Sequence, residues 1–290
     1  MRFQHYIGID YSGAATPSKR TGAIQVYHAA GDAKPIHIAC PASGRSKRNW
    51  NRIELYQWLN QFLESHQATM VAIDHGFSFP ASYFQQYRLK NWDEFLVDFI
   101  ANWPTDSPDA TVEEFRANTQ RSGSAKELRL TERWTSSAKS VFQFDVQGSV
   151  AKSTHAGLPF LHQLRQSHPS LHFWPFDGYK IGEQVENEGS QDAAERAGRS
   201  IKNESRSSKH SSETHRPTNS TSVVAEVYPS IFRNRYPRSN RTVDQQDAYA
   251  ICRWLSETDL EFDLDPYLQP PLTETEQATV LMEGWILGVI

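Results

Sequence analysis

Cysteine is nearly missing from this chain: two in 290 residues, Cys40 and Cys252. They stand far apart and form no ligand-spaced pair, which argues against a disulfide framework and a thiolate zinc site. A reducing, cytoplasmic setting is expected. Long apolar runs are missing too. No stretch approaches the length that crosses a bilayer, and the opening Met1-Arg2-Phe3-Gln4-His5 has no secretory apolar region. No membrane partner is expected. An excess of positive charge is also lacking. Thirty Lys and Arg against 34 Asp and Glu give a net charge of −4, with a pI near 6.3. Bulk charge therefore does not support tight, non-specific nucleic-acid binding, though a local basic groove stays open. Internal repeats and coiled-coil heptads are absent.

What is present is a globular composition. Hydrophobic residues make up 38%, aromatic residues 12%, and there are eight tryptophans. That is enough to bury the core of one large domain spanning 1–290, with insertions.

The chain is organised around Tyr6-Ile7-Gly8-Ile9-Asp10-Tyr11-Ser12-Gly13. A short apolar strand buried on both faces ends in an aspartate and a small turn. In open α/β sheets, ligands bind in the crevice beyond the carboxyl ends of the strands. Asp10 reads either as a turn aspartate or as the first ligand of an acidic site. Thr21–Tyr27 and Ile36–Cys40 read as further strands, joined by short turns and hence antiparallel. From Asn51 the apolar period becomes helical, through Leu55, Leu59, Phe62 and Leu63. Thr69 to Asp74 is then a second apolar strand ending in aspartate, followed by His75-Gly76. A helical crossover implies parallel pairing of the two Asp-ending strands. Two carboxylates in one crevice repel unless protonated or bound to a cation.

Residues 77–141 read as an inserted helical cap, rich in aromatics and broken by Pro104 and Pro108. Its later part carries Arg116, Arg121, Lys126, Arg129, Arg133 and Lys139, candidates for a phosphate-bearing substrate. Phe142 to Ser149 reads as a strand. The small and hydroxylated residues after it, with Lys152, Ser153 and Thr154, suggest a loop over an anion. A helix follows, with Pro159 in its first turn. Leu171 to Phe176 reads as a strand stopped by proline. Residues 183–221 are dense in serine and mixed charge and nearly free of large apolar side chains, so a polar, mobile insertion is expected.

Glu226 sits inside the apolar strand Ser222 to Pro229. A glutamate there is either paired by an arginine or part of a site. Asp244 and Asp247 open a helix whose buried stripe is Ala248, Ile251, Cys252 and Leu255. Spaced three apart, the two acids point in a similar direction. Thr273 and Glu276 match a capping box for a last helix carrying Val280, Leu281, Trp285 and Ile286.

The order of these motifs resembles the ribonuclease H-like superfamily, and within it the DUF429-type predicted nucleases. The likeness rests on Gly8-Ile9-Asp10, Ala72-Ile73-Asp74, Gly148-Ser149-Val150 with Thr154-His155-Ala156-Gly157, Trp174-Pro175-Phe176, Glu226-Val227-Tyr228-Pro229 and Asp244-Gln245-Gln246-Asp247-Ala248. The resemblance implies an α/β fold with a ribonuclease H-like mixed sheet flanked by helices. It also implies metal-dependent phosphodiester hydrolysis on DNA or RNA. Asp10, Asp74, Glu226, Asp244 and Asp247 are then the catalytic candidates. Asp10, Asp74 and Asp247 would hold Mg²⁺ or Mn²⁺, hard ions that suit oxygen ligands. His75, Lys152, Ser153 and Thr154 are the substrate-binding candidates. Two other readings stay open: hydrolysis of a small phosphorylated compound, and a non-catalytic nucleic-acid or protein-binding module on the same fold.

Overall fold

Side chains that alternate between two buried layers build the central sheet. In the computed structural model, which describes residues 1–44, 49–135, 137–146, 149–181, 221–262 and 264–290, seven strands form one sheet. They are β1 (His5–Asp10), β2 (Gln25–Ala30), β3 (Ile36–His37), β4 (Thr69–Asp74), β5 (His172–Trp174), β6 (Val223–Val227) and β7 (Ile286–Leu287). The order is β3-β2-β1-β4-β6-β5, with β7 also paired to β6. The β1–β2 and β2–β3 pairs are antiparallel, while the β1–β4, β4–β6, β6–β5 and β6–β7 pairs are parallel.

Helices cover both faces. They are α1 (Arg52–Ser65), α2 (Ala81–Tyr87), α3 (Trp92–Asn102), α4 (Val112–Asn118), α5 (Leu130–Trp134), α6 (Ala151–Ser167), α7 (Val243–Glu257), α8 (Asp265–Leu268) and α9 (Glu274–Glu283). Ile7, Ile9, Val71, Ile73 and Val224 face one core, which takes its other side from α1, α2, α3 and α6. Tyr6, Met70, Ala72, Ala225 and Val227 face the other, against α7. This is the period-2 alternation of a sheet buried on both sides.

Several helix starts follow from local chemistry. Asn51 with Glu54, Thr242 with Gln245 and Thr273 with Glu276 form capping boxes, each satisfying backbone N–H groups that the first turn leaves free. Gly8 fixes how α7 meets the sheet. A Cβ there would lie 2.4 Å from the Ala248 carbonyl oxygen and 2.5 Å from the Cys252 nitrogen, so only glycine lets the helix backbone lie directly on β1.

Four expectations need correction. The second strand begins at Gln25, not Thr21. Residues 142–146 form turns rather than a strand, because the Phe142 ring is drawn into the aromatic core beside Phe79 and Tyr83. Residues 151–157 are already helical, so Lys152, Ser153 and Thr154 do not form a loop, and Pro159 lies in the interior of α6. Proline there leaves the His155 carbonyl without its helical donor. The Thr105 hydroxyl donates to that oxygen instead, at 2.5 Å. Finally, Gly284, at φ 78°, ends α9, and Trp285 and Ile286 lie beyond it, with Ile286 in β7. The polar segment expected at 183–221 lies, apart from Thr221, outside the described residues, as does Gly148.

Candidate metal centre

Strand register brings the first two acids together. Asp10 and Asp74 are direct partners across the parallel β1–β4 pair, at the carboxyl ends of both strands. Neighbouring strands lie about 4.8 Å apart. Both residues share the parity of Tyr6, Gly8, Met70 and Ala72, so both point to the face covered by α7. Because α7 lies on Gly8, its first turn comes down beside Asp10. That turn carries Asp244, and Asp247 follows directly after it.

The electrostatics reflect this convergence. Burial, then the charges of Asp74, Asp244 and Asp247, raise the Asp10 carboxyl well above the usual carboxylate range. Burial, then Asp247 and Glu226, do the same for Asp74. Burial raises Asp244 and Asp247 as well, and for Asp247 the Arg233 guanidinium opposes it. Arg233 donates from Nη1 to Asp247 Oδ2 at 3.2 Å, while Asp247 Oδ1 is buried without a partner. No hydrogen-bond donor among the described residues reaches the Asp10 or Asp74 carboxylate. Among the described residues, no three His, Cys, Asp or Glu side chains close up as a metal cage.

Glu226 belongs elsewhere. It pairs in register with Ile73, so its side chain leaves the sheet on the opposite face from Asp10 and Asp74. There Arg129 grips it with two guanidinium donors, Nη1 to Oε2 at 2.7 Å and Nη2 to Oε1 at 2.5 Å, and the Phe77 N–H donates to Oε2 at 2.8 Å. Arg129 also donates from Nε to Glu132 Oε1 at 3.0 Å. A carboxylate so satisfied is a structural tie between β6, the start of α5 and the turn after β4, not a free catalytic group.

The substrate-binding candidates have structural partners too. His75 is buried, with Nδ1 2.9 Å from the Gly76 carbonyl oxygen, and burial pushes its imidazole down to about 4. It is packed between Tyr11 and Phe77. Thr154 Oγ1 accepts the Gly76 N–H at 2.9 Å and so fixes the turn after β4. Ser153 donates to the Val150 carbonyl at 2.9 Å. Lys152 pairs with Glu113. Of the basic residues of the inserted cap, Arg116 is held by Asp145 and Arg121 by Asp98, while Arg129 is buried. Of that set, Lys139 and Arg129 line a cavity beside the acids.

Sequence reading missed the basic wall. Between Tyr228 and Val243 the chain has four arginines and no acid. Arg233 and Arg238 line a cavity of about 280 Å³ with Asp247. A run of Arg233, Arg235, Arg238 and Arg241 just ahead of Asp244 was the available signal.

The chain is thus an α/β protein whose mixed sheet carries a carboxylate cluster at the ends of two parallel strands. Comparison with protein-family models, with curated proteins and with solved structures gives no match for it.

Proposed function

We propose that the protein is a divalent-metal-dependent phosphodiesterase acting on nucleic acid. One observation carries the reading: Asp10 and Asp74 are register partners on one face, with Asp247 of α7 close enough that its charge raises both carboxyls. The antiparallel β3-β2-β1 meander followed by parallel β4 supports the ribonuclease H-like resemblance.

The donor set fits a hard cation. It is all carboxylate oxygen, two of its members meet no hydrogen-bond donor among the described residues, and a third has a buried, orphaned oxygen there. Mg²⁺ keeps several waters and takes one or two carboxylates plus substrate phosphate. A cluster short of a closed three-residue cage is therefore compatible with it. Asp10, Asp74 and Asp247 would hold the ion, with Asp244 beside them. When bound, such an ion lowers the pKa of an attacking water and stabilises charge on the phosphate.

The protein's own residues supply the rest. The three carboxylates would hold the cation at the carboxyl ends of β1 and β4, where a substrate phosphate could reach it. Arg233 restrains Asp247 and would offer positive charge to a bound phosphate. Burial excludes bulk water, which strengthens every charge interaction in the site.

A second reading has its own support. Arg233 already pairs with Asp247, as a non-catalytic module on this fold would have it. One experiment separates the two: hydrolysis of bis(4-nitrophenyl) phosphate and of single-stranded and branched oligonucleotides, with Mg²⁺, Mn²⁺ or chelator. Turnover that needs metal and is lost in Asp10→Asn supports the enzyme. Metal-independent binding with no turnover in any arm rejects it.

A further inference from the structure

Beside the acid cluster lies a second cavity, of about 200 Å³. Asp74 forms part of its lining, so it opens onto the proposed metal centre. Val150, Val227 and Ile286 give it apolar walls. Arg129, Glu226 and Glu132 also line it, and the one guanidinium is committed to the two carboxylates. The polar groups left to a ligand stand nearer the mouth. Ser137 and Lys139 are exposed there, and the Tyr228 hydroxyl lies 3.4 Å from Ser137 Oγ. Lys139 has no ion-pair partner among the described residues.

This combination is selective about shape and chemistry. A cavity of about 150 Å³ accepts a benzene ring. One of about 200 Å³ takes a single flat heteroaromatic system and excludes a base pair. Apolar walls suit the faces of such a ring, and two hydroxyls with an ammonium suit its polar edge. The neighbouring carboxylates suit a phosphate held through a cation. A ligand with a phosphate at one end and a flat polar-edged ring at the other, joined by a short spacer, is a nucleotide.

We infer that this cavity is a pocket for one unpaired nucleobase next to the scissile phosphate. The enzyme then acts at unpaired nucleotides, in single strands, flaps or bulges, and not within a continuous duplex. A base inside a duplex would first have to be extruded, against its stacking and pairing. This inference rests on the phosphodiesterase reading for the role of the acids, but the pocket is testable without turnover.

The test is equilibrium binding in chelator, using a single-stranded oligonucleotide, the same strand with one abasic position stepped along it, and the matching duplex. One abasic position is expected to weaken binding about tenfold, the usual scale for a stacked base. The duplex is expected to bind more weakly than the intact strand. Ala138→Phe, which fills the cavity, is expected to weaken the intact strand by a similar factor and to add little on the sensitive abasic strand. Val146→Trp, at the exposed rim, repeats the measurement with a change outside the core. Equal affinity for strand and duplex, or indifference to every abasic position, overturns the pocket. Hydrolysis of bis(4-nitrophenyl) phosphate by the wild-type protein with Mn²⁺ reads the acid site separately. Its absence removes the phosphodiesterase, while base-dependent binding would still establish the pocket.

Discussion

Asp74 and Glu226 end neighbouring parallel strands within one register step of each other, yet leave the sheet on opposite faces. Asp74 joins an acid cluster short of positive charge, and Glu226 is gripped by Arg129. Mutation should separate the two acids cleanly. Breaking a buried ion pair by removing one partner costs about 3–5 kcal/mol, because the other charge is left unpaired. Arg129→Ala and Glu226→Ala are therefore expected to lower the urea midpoint strongly. Glu226→Gln is expected to fall between them and wild type. A stability loss below about 1 kcal/mol for all three would show that the pair is not the tie described.

The acid cluster predicts the opposite sign. Without a cation, like charges at Asp10, Asp74, Asp244 and Asp247 oppose one another in a partly desolvated site. Removing one relieves that repulsion. Asp10→Asn and Asp74→Asn are each expected to stabilise the protein in chelator by about 1 kcal/mol, a trade-off common at functional sites. The same variants should lose the rise in melting temperature that Mn²⁺ gives wild type, since an ion binding only the folded state stabilises it by mass action. Thermal scans with and without Mn²⁺ check both. Destabilisation of both variants in chelator would mean that these carboxylates are satisfied and not strained.

Much of this architecture was legible in the residues. The strands ending at Asp10 and Asp74, their parallel pairing, and the helix opened by Asp244 and Asp247 all follow from period and punctuation. The fate of Glu226 was not legible beyond two alternatives. Its partner, Arg129, is 97 residues away, and no local pattern announces a contact of that range. The status of Lys152, Ser153 and Thr154 failed for a different reason. Small hydroxylated residues suit a loop, but here Gly13 and Gly76 let α6 pack tightly, and tertiary contact overrode propensity. Pro159 misled in the same way, because Thr105 supplies from a distant segment the hydrogen bond that makes an interior proline tolerable. The basic wall was readable but diluted by a net charge of −4.

That wall gives a salt-dependence prediction. Arg241 is committed to Gln246, to the Pro237 carbonyl and to the Tyr249 ring, and Arg233 to Asp247. Arg235 and Arg238 are exposed, on a segment held by Gln246, which donates to the carbonyls of Arg233 and Tyr236. Each phosphate contact adds about 0.7 to the slope of log K against log salt for single strands. Arg235→Ala and Arg238→Ala should each reduce that slope by roughly this amount and weaken all sequences alike. Binding titrations across a range of salt check it. Unchanged slopes in both variants would return these arginines to the role of solvated charge.

Acid stability should depend on His155, far from the acid cluster in character. It lies among Phe79, Phe99, Trp103, Phe142 and Phe144, with Nδ1 2.9 Å from the Ala151 carbonyl oxygen and Nε2 buried without a partner. Burial pushes its imidazole down to about 3 from an ordinary 6.5. Between those values the unfolded chain binds a proton that the folded protein refuses, so the contribution of His155 is full above pH 6.5 and is lost progressively down to about pH 3. The full loss is on the order of 5 kcal/mol, at 1.36 kcal/mol for each unit of displacement. His155→Leu keeps an apolar side chain in the aromatic cage and cannot take up the proton. Wild type is therefore expected to lose stability relative to the variant as pH falls from 6.5 towards 4, whatever their difference at pH 7. Urea titrations over that range measure the difference. A gap between the two proteins that stays constant with pH would mean that His155 is protonated in the folded state or reached by water.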